Sequence, residues 1–186
     1  MLLSRLLPGV ALVAGLALAA APAQAVNMIT MQTSATTVNL GDTFTVQIGF
    51  DFDDPTFGGG IDLSFDTDAF EIVSFEFDDE IDTDPAFSVR PGEVAAAPRL
   101  LAFGNFNPID GTRKVGNLVL RALLPAVQKL ISGEVNDRPA GPFIGEEGGP
   151  LEVAILGTEV TVIPEPGTLV LLGAGLAGLG IVRRRS

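Results

Sequence analysis

Five apolar side chains in strict alternation, Phe44, Val46, Ile48, Phe50 and Phe52, run through the stretch GDTFTVQIGFDFDD. Thr43, Thr45, Gln47, Gly49 and Asp51 fill the positions between them, so only a period of two collects the apolar set on one face. β-Branched and aromatic side chains suit the pleated, half-buried surface of a strand. The stretch is therefore predicted to be a strand with one buried face. Gly41-Asp42 supplies a turn before it and joins it to an earlier strand through Val38 and Leu40.

The same pattern recurs along the chain. After DDPTFGGG, whose proline and glycines predict a loop, Ile61, Leu63 and Phe65 alternate with Asp62, Ser64 and Asp66. AFEIVSFEF starts in one phase at Phe70 and Ile72 and ends in the other at Val73, Phe75 and Phe77. One extra residue in a strand produces such a change, so a bulge is expected there. RLLAFGNFN and VGNLVLRALL predict two further strands, the second alternating through Leu118, Leu120, Ala122 and Leu124 until Pro125. A helix through LVLRALLPAVQKLI would hold Pro125 inside it, at a cost of about 3 kcal/mol. LEVAIL and EVTVI, hinged at Gly157, close the series. Short strands between Gly, Pro and Asp turns, with no convincing helix, predict an all-β sandwich. The pattern leaves strand pairing open.

The function classes that remain are narrow, because the chain has no His, Cys, Trp or Tyr. No Ser-His-Asp triad, Cys-His nucleophile or usual zinc set can be built without them. A carboxylate pair of the glycosidase kind is the catalytic arrangement left open, and nothing in the sequence marks one. The expectation is a protein that is not an enzyme. All 23 Asp and Glu fall between Asp42 and Glu165, whereas Arg5, Arg183, Arg184 and Arg185 belong to the tails, so the body carries a net charge of about −16. Such a surface repels nucleic acid, which is excluded as a partner. Without cysteine the fold rests on its core alone.

Both ends differ from the body. Residues 1–25 have one charged side chain, Arg5, an apolar run, and Ala23-Gln24-Ala25 before Val26. Charged start, short apolar stretch and small-x-small site together predict a secretory signal peptide. At the other end, residues 168–182 are uncharged and would span about 22 Å as a helix, against a hydrocarbon core of about 30 Å. Local thinning of the bilayer and the reach of Arg183, Arg184 and Arg185 would allow a transmembrane helix with a cytoplasmic C-terminus. Outside it lies Pro164-Glu165-Pro166, expected to be extended and accessible.

Two resemblances follow from these residues. TTVNLGDTFTVQIGF, GGGIDLSFDTDAFEIVSFEF and LEVAILGTEVTVI resemble the cohesin-like domains. That implies a single jelly-roll β-sandwich over residues 26–162 that works by binding, with a dockerin-like protein as one kind of partner. Pro-Glu-Pro, apolar segment and arginine cluster over residues 163–186 resemble the PEP-CTERM sorting signal. That implies recognition by exosortase, a membrane transpeptidase, after transient anchoring in the inner membrane. Cleavage near the motif would then place the protein on the cell envelope surface or in the extracellular matrix of a Gram-negative bacterium that makes exopolysaccharide.

Two readings of the remaining polar and aromatic residues stay open. Asp51, Asp53, Asp54, Asp66 and Asp68 lie where loop carboxylates could converge on calcium, which takes six to eight oxygens, yet none fits the D-x-[DN]-x-[DN]-G loop. A solvated acidic surface that guards strand edges is the simpler expectation, with no cofactor. Carbohydrate, including exopolysaccharide, would need stacking rings, and most Phe side chains are predicted to point inward. Phe57 and Phe143 are the expected loop exceptions.

The Ala23-Gln24-Ala25 site makes Val26 the expected N-terminus of the exported protein. N-terminal sequencing of secreted material checks this, and recovery of an intact Met1 would refute it.

Overall fold

The computed structural model describes residues 27–79, 81, 85–138, 140–165 and 167. The segment expected to be a signal peptide, with its expected cleavage site (Ala23, Ala25, Val26), Pro166, the apolar tail and Arg183, Arg184 and Arg185 lie outside the described residues. Nine strands run in the order β1 (Asn27–Thr33), β2 (Thr37–Asn39), β3 (Thr43–Ser64), β4 (Phe70–Phe77), β5 (Leu100–Ala122), β6 (Ala126–Val135), β7 (Ile144–Gly145), β8 (Val153–Leu156) and β9 (Thr158–Ile163). Among the described residues a single 3-10 turn, Pro85–Phe87, interrupts the β structure, and no helix is long and apolar enough to cross a membrane.

β3 and β5 form the spine. They pair antiparallel from Thr43↔Arg121 through Phe52↔Gly111 and again from Gly58↔Gly104 to Asp62↔Leu100. β5 also holds β4, at Phe70↔Ala122 and Ile72↔Leu120. Since Thr43 and Phe70 flank the same end of β5, the chain that leaves along β3 must come back by Phe70. The two halves of β3 therefore run in opposite senses and the ribbon folds over at its middle. The first half adds β1 and then β8; the second adds β6, which passes on to β9 and β2.

The fold-over corrects the expected loop. DDPTFGGG does not leave the sheet but continues as bulged strand within β3, with register shifts between Phe52 and Thr56 and between Thr56 and Gly58. Pro55 is accommodated because it falls inside a shift, where no ladder donor is required of it. Thr56 is fully buried; its hydroxyl donates to the Ile144 carbonyl (2.9 Å) and accepts from the Gly58 N–H (3.0 Å). Gly58 has φ +112°, and a Cβ there would collide with the Phe103 carbonyl. Two expected strands, RLLAFGNFN and VGNLVLRALL, likewise merge into β5. The bulge predicted in AFEIVSFEF is present between Ile72 and Ser74, and the extra residue, Val73, turns its side chain to solvent.

One core lies between the two halves. Phe44, Val46, Ile48, Phe50 and Phe52 are all buried, as the alternation predicts, against Leu118, Leu120, Ile131, Val160 and Val162. Leu124, expected to continue the buried series of β5, is instead exposed beside Pro125, because the strand ends at Ala122. Ring pairs link its parts. Phe50 meets Phe52 edge-on at 5.1 Å and stacks on Phe103 at 6.0 Å, while Phe143 meets Phe52 at 5.2 Å. Phe143 is thus wholly buried and not the exposed loop ring the sequence suggested.

Phe50→Ala is expected to lower stability by about 3–5 kcal/mol, because the three-ring contact cannot collapse onto the void. Gln47→Ala, on the exposed face of the same strand, should change it by less than about 0.5 kcal/mol. Denaturant unfolding of both variants measures the difference; equal midpoints would place the wrong face inside.

Candidate functional site

β5 carries apolar residues on both faces at its start. Leu101 and Phe103 enter the main core, whereas Leu100 and Ala102 point the other way and are still buried. Two segments come near this second face. Val89 bridges to Ala102, its N–H donating to the Ala102 carbonyl at 2.9 Å and its carbonyl accepting at 3.0 Å. On the other side the Gly60 N–H donates to the Gly141 carbonyl at 3.1 Å. Asn136 anchors that segment: its amide donates to Asp62 (2.6 Å) and accepts from the Ala140 N–H (3.1 Å).

A cleft of about 550 Å³ remains among Val89, Val94, Leu100, Ala102, Pro142 and Ile144. Its rim bears three exposed rings: Phe57 at 36%, Phe87 at 50% and Phe106 at 71%. Phe87 and Phe106 meet edge-on at 5.2 Å. Phe106 is pushed outward by the fold-over, where four residues of β5, from Asn105 to Pro108, stand against Phe57 alone in β3. Asn105 supplies the only polar side chain among the described lining residues. The cleft can desolvate an apolar or aromatic group, and its described lining offers no acid, base or nucleophile.

Phe57 was expected to be exposed and is so, although it belongs to β3 and not to a loop. Phe87 and Phe106 were not singled out. For Phe106 a signal existed: it shares the phase of Leu100, Ala102 and Gly104, opposite to Leu101 and Phe103.

The five candidate calcium ligands do not assemble into one group, and among the described residues no cluster of three or more acids is placed to hold a metal. Asp51 accepts from the Thr112 hydroxyl at 2.6 Å. Asp54 accepts from the Asn27 amide at 3.0 Å and returns its own N–H to Asn27 at 3.1 Å. Asp66 pairs with Lys129 at 2.7 Å and accepts from the backbone N–H groups of Asp68 (3.0 Å) and Ala69 (3.3 Å). The hydrogen bond from Lys129, then that from Asp68, hold the Asp66 carboxyl below the ordinary carboxylate range. Glu93 is lowered too, chiefly by the Arg90 N–H. Both shifts favour ionisation, whereas a general acid needs its pKa raised.

Of the sorting residues, Pro164 and Glu165 follow directly on β9 and are exposed. Residues 162–185 match the PEP-CTERM protein-sorting motif. The chain carries that signal. Among solved structures the body is similar to the cohesin module of a family 33 glycoside hydrolase from Clostridium perfringens. The identity there is 15%, with 76% of this chain and 99% of that one covered, at a TM-score of 0.57. A chain from a type I cohesin–dockerin complex of Clostridium thermocellum matches at 16% identity, covering 77% of this chain and 99% of that one, at 0.55. A non-cellulosomal cohesin from Archaeoglobus fulgidus matches at 13%, covering 74% and 91%, at 0.51. No curated protein matches the sequence. The body has a cohesin-like, all-β fold.

Because Asp66 has a depressed pKa in the folded state, its bonds stabilise the fold above the ordinary value of 3.8 and are lost as pH falls through the lower folded value. Lys129→Met is expected to return the Asp66 titration toward 3.8, read by carboxyl-carbon NMR. An unchanged titration would show that Lys129 does not set it.

Proposed function

We propose that this chain is an exported binding protein, processed by exosortase, whose cohesin-like body grips a protein partner through the apolar cleft. The sorting signal supports export and membrane-anchored sorting in bacteria. Release to the envelope surface or extracellular matrix of a Gram-negative cell is the remainder of the reading. The observation that carries the binding role is the trio of exposed rings, Phe57, Phe87 and Phe106, around a cleft walled by aliphatic side chains. Burying one such side chain is worth about 1.5–3 kcal/mol, and aromatic anchors beside pockets concentrate binding energy. A lining with one polar side chain suits an apolar side chain of a protein better than a hydroxyl-rich sugar. The neighbour from Clostridium thermocellum was itself solved as a cohesin–dockerin complex, so a dockerin-like module is one form the partner could take.

Sorting and binding are tested separately. Replacing Pro164, Glu165 and Pro166 with alanine should leave export intact but keep the precursor in the membrane fraction of an exosortase-positive host. Release and shortening as in wild type would reduce the tail to an ordinary anchor. Phe87→Ala with Phe106→Ala should weaken capture of the partner recovered from native matrix at least about tenfold, since each ring is worth more than 1.4 kcal/mol if it is an anchor. Undiminished capture would place the binding surface elsewhere.

A further inference from the structure

Exposed apolar side chains also gather far from the cleft. Leu123 (37%), Leu124 (52%), Val127 (74%) and Ile163 (40%) stand at the end where the chain leaves the body. Backbone bonds hold them together there. Ala126 pairs with Val162, the Leu40 N–H donates to the Ile163 carbonyl at 2.9 Å, and the Gly41 N–H donates to the Ala122 carbonyl at 2.9 Å. The Leu123 N–H donates to the Ala69 carbonyl at 2.8 Å.

What covers this end follows from where the chain goes next. Residues 164–167 separate Ile163 from the uncharged run 168–182, and four extended residues reach at most about 14 Å. If that run lies in a bilayer, the body cannot stand clear of the surface, and the end that faces it is the one bearing Leu123, Leu124, Val127 and Ile163. We propose that this exit end is a lipid-facing surface that rests in the interfacial region of the membrane while the tail holds the precursor there. The proposal rests on the reading of the tail as a membrane anchor. Apolar side chains at that depth gain from leaving water. Arg121 and Lys129 at this end are paired with Glu71 and Asp66, which leaves the exposed Asp42, Asp68 and Glu165 in excess, so neutral headgroups are favoured and anionic lipid should weaken the contact. Such seating would hold Pro164-Glu165-Pro166 at the height of a membrane-embedded processing enzyme.

The chain has no cysteine, so single labels are clean. Full-length precursor is reconstituted in neutral vesicles of phosphatidylcholine and phosphatidylethanolamine that contain nitroxide-bearing lipid. An environment-sensitive fluorophore is placed on Val127→Cys, on Leu172→Cys in the tail, or on Glu147→Cys. The last lies in the turn whose Glu146 N–H donates to the Pro55 carbonyl, at the opposite end. Blue shift and quenching are expected at positions 172 and 127 but not at 147. Adding Leu124→Asp should abolish quenching at 127 while leaving that at 172, and replacing half the lipid with phosphatidylglycerol should reduce it. Quenching at 172 with none at 127 overturns the docking surface alone. No quenching at 172 overturns the anchor reading and the docking surface with it.

Discussion

The pairing of β3 with β5 is the interaction on which everything else is hung. Strands of 22 and 23 residues are several times the usual length, and a flat ribbon of that size could bury only one face against nothing. Folding it over at Pro55 and Thr56 turns each strand into two, so that one continuous ladder supplies the centre of both layers. The other strands attach to this ladder or to one another: β1 and β8 on the first half, β6, β9 and β2 on the second, β7 beside the fold-over at Thr56 and Gly58, and β4 along β5. No disulfide helps, so the enclosed apolar set must offset the chain entropy by itself. The linked rings of Phe50, Phe52, Phe103 and Phe143 sit beneath the fold-over, where the two layers are closest to one chain segment.

Alternation made much of this legible. A period of two in residues 43–52 has one interpretation, and the phase slip at Val73 has one cause, so both could be read directly. The fold-over could not. Pro and three glycines in DDPTFGGG normally end a strand, and only the tertiary fit of Gly58 against the Phe103 carbonyl and of Thr56 against Ile144 keeps this one in the ladder. Local composition carries no trace of those partners. Pairing was hidden for the same reason, since β1 with β8 and β2 with β9 join residues more than 100 apart.

The site was legible in the opposite proportion. Sequence carries the sorting signal whole, because all of its parts lie within residues 162–185. The apolar cleft has no motif. Its residues come from the middle of β3, the start of β5 and two connecting segments, and each alone looks like core or loop. Phe143 was misjudged because proline and glycine around it suggested a surface loop, while its ring fills the space under Phe52. The acids illustrate the gap between sequence and space. Clustered in sequence at strand ends, they fall to different neighbours in the fold: Asp51 to Thr112, Asp54 to Asn27 and Asp66 to Lys129.

The arrangement of ends then links the two halves of the proposed function. Thr43 to Phe52 is nine steps of extended chain, about 30 Å, and it separates the exit at Ile163 from the fold-over. Phe57 and Phe106 belong to the fold-over, and Asn27, where the described body begins, is bonded to Asp54 beside it. A tether at the exit therefore leaves the aromatic rim at the far end, directed away from whatever surface holds the tail. Cleavage near Pro164-Glu165-Pro166 would change what lies beneath the exit end without touching a residue of the cleft. On the proposed function, sorting and recognition can proceed in sequence on one small sandwich, because the folded ribbon keeps their residues at opposite ends.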